Sequence, residues 1–134
     1  MGTGYPLAAP AEPGTGAGWE RLAQAVAAEV PVAELDGLWV FRPFRRDGKE
    51  YGTAILSRRE GDRLVIYTAR YAHTLKGKKR GEFASELAEV GRGPLEALDE
   101  LVALVPKRTE EEPPVRIPVL RWYPAGPDGA PDLG

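Results

Sequence analysis

The chain has no cysteine and no asparagine, and only one glutamine, one methionine and one histidine. Each shortage closes off some chemistry. Without cysteine there is no disulfide, no thiolate nucleophile and no zinc site built on sulfur, and the redox compartment is left unmarked. The single imidazole, His73, has no Ser or Cys arranged around it by a nucleophile–base motif, so it reads as a surface or sheet-edge side chain. Thermolabile side chains are scarce and Arg outnumbers Lys thirteen to five, a composition that fits a bacterial GC-rich genome or a hot habitat. Long apolar runs are missing too. None reaches the roughly 18 to 20 residues of a membrane span, and the N-terminus lacks the basic start and apolar centre of a signal peptide. The expectation is a soluble, cytoplasmic protein with no membrane partner.

Charge is present and sorted into blocks. Between Asp36 and Gly81 there are twelve Lys or Arg against four Asp or Glu, whereas both flanks are acidic, so the net charge of −2 hides a basic middle. Residues 1–18 and 124–134 are rich in Gly, Pro and Ala and bury too little to offset the entropy of ordering, which predicts mobile tails. The sequence divides into an N-terminal tail (1–18), one α+β domain (19–106) and a Pro-rich C-terminal tail (107–134) with an apolar island at 115–123. The folded part is of a size that can hold one core.

Trp19, Leu22, Val26 and Val30 recur at helical spacing until Pro31 stops them. Asp47-Gly48 supplies the positive φ angles of a tight hairpin turn, which predicts strands over 38–46 and 49–58. A second turn at Glu60-Gly61 leads to a third strand over 63–74, rich in β-branched and aromatic residues. The segment 81–90 is open to two readings. Phe83, Leu87 and Val90 share a helical face, but the segment is short and runs into Gly91-Arg92-Gly93, which favours a fourth strand. After Pro94, Leu95, Leu98, Leu101 and Val102 form a second amphipathic helix ending before Pro106. The expected fold is thus an antiparallel meander of three or four strands between an N-terminal and a C-terminal helix.

Counting from the two turns pairs Phe44 with Tyr51, Val40 with Ile55, Ile55 with Ile66 and Tyr51 with Arg70. One face then carries Trp39, Phe41, Ala54, Leu56, Val65, Tyr67 and Ala69 beneath the helices, with Gly52 leaving room for close approach. The opposite face has an apolar end (Leu38, Val40, Ile55, Leu64, Ile66) and an aromatic, hydroxyl and guanidinium end. That second end, Arg42, Phe44, Tyr51, Thr53, Thr68 and Arg70, is the candidate binding surface. Lys76, Lys78, Lys79 and Arg80 form a cationic hairpin tip suited either to solubility or to phosphate contact. Val115, Ile117, Val119, Leu120, Trp122 and Tyr123 are expected to dock on the chain's own domain, over the apolar end of the sheet, with a linear motif for a partner as the alternative.

Other motifs are weaker. Gly14-Thr15-Gly16-Ala17-Gly18 follows no strand, and Lys76-Gly77-Lys78-Lys79 lacks the spacing and the Ser or Thr of a phosphate-binding loop. Glu82, Glu86, Glu89, Glu96, Asp99 and Glu100 read as a solvated acidic face rather than a metal site. No metal, cofactor or catalytic residue is therefore expected.

Helix, three strands and then Lys76-Gly77-Lys78-Lys79 leading into Phe83, Ala84, Leu87 and Ala88 resembles the order of a double-stranded RNA-binding domain, whose second helix opens with a Lys-rich motif. That resemblance implies contact with RNA through the basic loop. The chain departs from it at Asp47-Gly48, where the family carries Gly-Pro and His, and at 91–94, where the second helix would break. Separately, 90–105 is similar to the strand-to-helix junction of HicB-like antitoxin domains. The reading that follows is a small non-enzymatic binding module, for a protein partner or a second copy of itself, with nucleic acid as the alternative.

Overall fold

In the computed structural model, which describes residues 16–31, 34–105 and 114–119, Asp47 and Gly48 take φ of 53° and 75° and set Arg46 against Lys49 and Phe44 against Tyr51. A turn of this hand matches the twist of its strands, so the hairpin forms where the dipeptide places it. The elements are α1 (Ala17–Ala27), β1 (Leu35–Val40), β2 (Phe44–Arg46), β3 (Lys49–Glu60), β4 (Arg63–Thr74), β5 (Phe83–Pro94), a 3₁₀ turn (Leu95–Ala97), α2 (Leu98–Ala103) and β6 (Val115–Ile117). All the strand pairings are antiparallel, in the order β5-β4-β3-β1-β6 with β2 also on β3. Among the described residues the fold is α+β, with six strands and two helices.

The register departs from the turn-counting expectation in two places, with different consequences. The Phe41 amide still donates to the Thr53 carbonyl (3.0 Å), but residues 42–43 leave the ladder, and Pro43 has no amide to donate there. When pairing resumes, Val40 faces Ala54 and Trp39 faces Ile55, one residue away from the expected Val40–Ile55 pair. A one-residue slip exchanges the faces of a strand. Leu38 and Val40 therefore join Ala54, Leu56, Ala69 and Tyr71 in one core, while Phe41 joins Ile55, Leu64 and Ile66 in the other, with Trp39 packed beside it. In the second hairpin the turn is Gly61-Asp62, with Glu60 opposite Arg63, so Ile55 meets Thr68 and Thr53 meets Arg70. That slip is of two residues and leaves the faces of β4 intact.

The two helices cover opposite faces. From α1 and its end, Trp19, Leu22, Ala23, Val26 and Val30 are buried on the first core, and Leu101 and Val105 close the second. Burying each large side chain contributes about 1.5–3 kcal/mol, so both layers count. Helix α2 can lie close because Gly91 and Gly93 run beneath it; a Cβ on Gly93 would sit 3.3 Å from Leu101 Cδ1. The segment 83–94 is a strand and not a helix. Its one irregularity is a β-bulge: Ile66 faces Gly91 and Tyr67 faces Glu89, leaving Val90 as the extra residue.

The strand at 83–94 also ends the likeness to a double-stranded RNA-binding domain, since the Lys-rich motif opens a strand here and not a helix. The junction at 90–105 does run from strand end to helix. Helix α1 begins at Ala17, inside the segment assigned to the N-terminal tail, and Gly18 is buried. The apolar island docks on its own domain through Val115–Ile117, as an edge strand on β1 instead of a cover over a face. Residues 1–15, 106–113 and 120–134, with most of the expected tails and with Leu120, Trp122 and Tyr123, lie outside the described residues. Among the described residues no helix is long and apolar enough to cross a membrane.

Candidate functional site

Strands β3 and β4 pair over their whole length, from Lys49–Thr74 to Glu60–Arg63. This brings the Asp47-Gly48 turn and the loop after β4 to the same end of the sheet. The two are tied together: the Leu75 amide donates to the Gly48 carbonyl (2.8 Å), and the loop closes on itself where the Gly81 amide donates to the Thr74 carbonyl (2.7 Å). Between them lies an open cleft of about 590 Å³, lined by Arg45, Arg46, Lys76 and Arg80 together with Asp47 and His73. Lys78 and Lys79 belong to the same loop but are not part of the lining. Arg21 supports the loop from α1, donating from Nη1 to the Gly81 carbonyl (2.9 Å) with its guanidinium 4.4 Å from the Phe83 ring centre.

Sequence reasoning passed over Arg45, Arg46 and Arg21. The first two had a signal, because two Arg just before a tight turn must emerge at the end where the next hairpin returns. Behind them, the Tyr71 hydroxyl donates to Glu50 Oε1 (2.8 Å), and Arg45 Nε stands 3.4 Å from Glu50 Oε2. Burial raises the Tyr71 phenol well above its ordinary value, and the Glu50 carboxylate adds to this. Trp19 meets the Tyr71 ring edge-on at 5.3 Å and Phe83 stacks on it at 5.7 Å.

The sheet-face candidates are only partly assembled. Phe44 and Tyr51 stack at 5.3 Å, and the Arg46 guanidinium lies 5.9 Å from each ring. Arg70 is half-buried and Arg42 is exposed, in the break between β1 and β2. Thr53 and Thr68 are buried, so neither is open to a ligand. The register also sets Glu86 of β5 directly across from Arg70, which offsets the positive charge of this face.

Strand β5 brings a feature the sequence reading did not single out. Among the described residues it pairs only with β4, leaving one long side without a neighbour. The Thr74 amide donates to the Glu82 carbonyl (2.8 Å) while that of Leu75 goes to Gly48, so even-numbered residues of β4 turn their backbone groups toward β5. With Ala72 opposite Ala84 and Arg70 opposite Glu86, the backbone groups of Ser85 and Leu87 then point away from the sheet. Along this edge runs a groove of about 420 Å³ between β5 and α1, bounded by Leu22, Ala25, Val26, Glu29, Ser85 and Leu87. Farther along, Glu89 is held by Arg92 in two bonds of 2.7 and 3.0 Å, and that guanidinium lowers the carboxyl's proton affinity.

Comparison with known proteins finds no matching family model, no matching curated protein and no matching solved structure.

Proposed function

We propose that this domain is a non-enzymatic protein-binding module that accepts an extended segment of a partner as an added strand on β5. The observation that carries this reading is the pairing of a free strand edge with a groove beside it. Backbone groups of Ser85 and Leu87 provide a hydrogen-bonding template, and the α1–β5 groove lies where every second side chain of an added strand would fall. Half-buried Ala25 and Leu87 suit an apolar side chain in that groove, whose floor is closed by the buried Leu22 and Val26. Glu86 on the strand itself and Glu82 just before it suit basic residues in the partner segment. A second copy is the weaker occupant, because β5 pairing with β5 would bring like charges together.

The test is selection of a random-peptide display library on the full chain. Recovered peptides are expected to alternate apolar and basic residues and to shift the backbone resonances of Ser85 and Leu87. Ser85→Pro removes an amide that faces away from β4, so it should keep the fold and weaken peptide binding at least about tenfold. Equal binding by Ser85→Pro, or resonance shifts confined to another surface, would overturn the reading.

Nucleic-acid binding through Lys76, Lys78, Lys79 and Arg80, extended by Arg42 and Arg70, is the second reading, supported by the gathering of cations at one end of the sheet. The carboxylate of Glu86 beside Arg70 counts against a continuous positive track. Duplex RNA or DNA is expected to bind weakly at most, with steep salt dependence.

A further inference from the structure

The cleft between the two hairpin ends has a different character from the β5 edge. Its cations come from two chain segments: Arg45 and Arg46 from β2, whose side chains leave opposite faces of the strand with the Arg46 guanidinium over the Phe44 and Tyr51 rings, and Lys76 and Arg80 from the loop after β4. Asp47 is the one carboxylate in the lining. The walls are held before any ligand arrives. Besides the Leu75–Gly48 bond, the Lys76 stem packs on the turn, where a Cβ on Gly48 would be 3.4 Å from Lys76 Cβ. The Arg80 amide donates to the Gly77 carbonyl (3.2 Å), fixing the far side of the loop. Arg45 shares only a 3.4 Å contact with Glu50 and its side chain is 73% exposed, so most of its donors face solvent.

We propose that this cleft binds a compact, multiply charged phosphate group carried by a small molecule. Arg45 on one wall and Arg80 on the other carry planar donors suited to phosphate oxygens, and Lys76 adds a point charge. A volume of about 590 Å³ is in the range of small-ligand pockets, which span roughly 300–1,000 Å³. A duplex would need cations spread along a ridge so that successive phosphates are met in turn. Here the cations line one cleft, and the exposed Glu82 follows the loop.

The experiment uses inorganic triphosphate as the probe, titrated into the full chain at about 0.15 M salt, where screening acts beyond about 8 Å. Duplex RNA and duplex DNA of matched charge form the second arm. Two double variants remove the same charge from the same loop: Lys76→Ala with Arg80→Ala, and Lys78→Ala with Lys79→Ala. The first pair is expected to weaken triphosphate binding at least about tenfold, the second by less than about threefold. Melting curves confirm that both stay folded. Equal losses from the two pairs would show diffuse attraction in place of a site, and so overturn the proposal. So would absent triphosphate binding by the wild type, or tighter binding of duplex RNA than of triphosphate.

Discussion

At the scale of single residues, Tyr71 organises one side of the molecule. Its ring fills space that two glycines leave open, since a Cβ on Gly18 would lie 2.5 Å from Tyr71 Cε1 and one on Gly52 would press against the same ring. Gly18→Ala and Gly52→Ala are therefore expected to destabilise by about 1–3 kcal/mol each, seen as lower melting temperatures. The gap at Gly52 is legible in the sequence, as a glycine inside a strand of large side chains. The ring that fills it is not, because Tyr71 reaches it only through the β3–β4 register. The phenol also sets an alkaline limit. Its proton affinity is raised in the folded chain, so above the unfolded value near pH ~10 the unfolded state loses a proton that the folded state keeps. Stability contributed by the neutral phenol is full below that pH and falls as pH rises above it. Chemical denaturation across this range should show the decline in wild type and a shallower one in Tyr71→Phe.

At the scale of elements, β1 shows how far turn counting goes. The Asp47-Gly48 turn fixes Phe44 against Tyr51, but the break at 42–43 resets the count, and the core residues of β1 become Leu38 and Val40. Pro43 is visible in the sequence; where the ladder resumes after it depends on which face α1 needs filled. Leu38→Ala is expected to cost about 2–5 kcal/mol by denaturant titration, because Leu38 is fully buried beneath α1. Strand β6 was beyond local reading, being three residues long and paired across the sheet with β1. Truncation after Pro114 would uncover the β1 edge and release Ile117 and Val119 from the first core. A fall in melting temperature of at least about 4–8 °C is expected, the effect of roughly 1 kcal/mol in a domain of this size, with increased binding of a hydrophobic dye.

At the scale of the whole molecule, the charge blocks of the sequence become places in space. Equal-length strands fold the basic middle so that Arg45, Arg46, Lys76 and Arg80 line one cleft, while Glu86 lies on the edge strand β5 and Glu82 just before it. The blocks themselves are readable from the sequence, and so are the α+β class and the basic loop. The edge and its groove are not, because they depend on which strand ends the sheet and on the face that α1 takes. Because like charges lie along β5, light scattering at about 0.1 M salt is expected to find a monomer when no partner is present. A dimer that disappears in Ser85→Pro would transfer the added strand from a partner to a second copy.

The bulge at Val90 turns the open edge into a ruler. Regular pairing on β4 runs only from Phe83 to Glu89 before the extra residue bends the strand. At about 3.4 Å per residue, a straight added strand can follow it for roughly 24 Å. Binding should accordingly strengthen with peptide length up to about seven residues and then level off, whatever lies beyond in the partner.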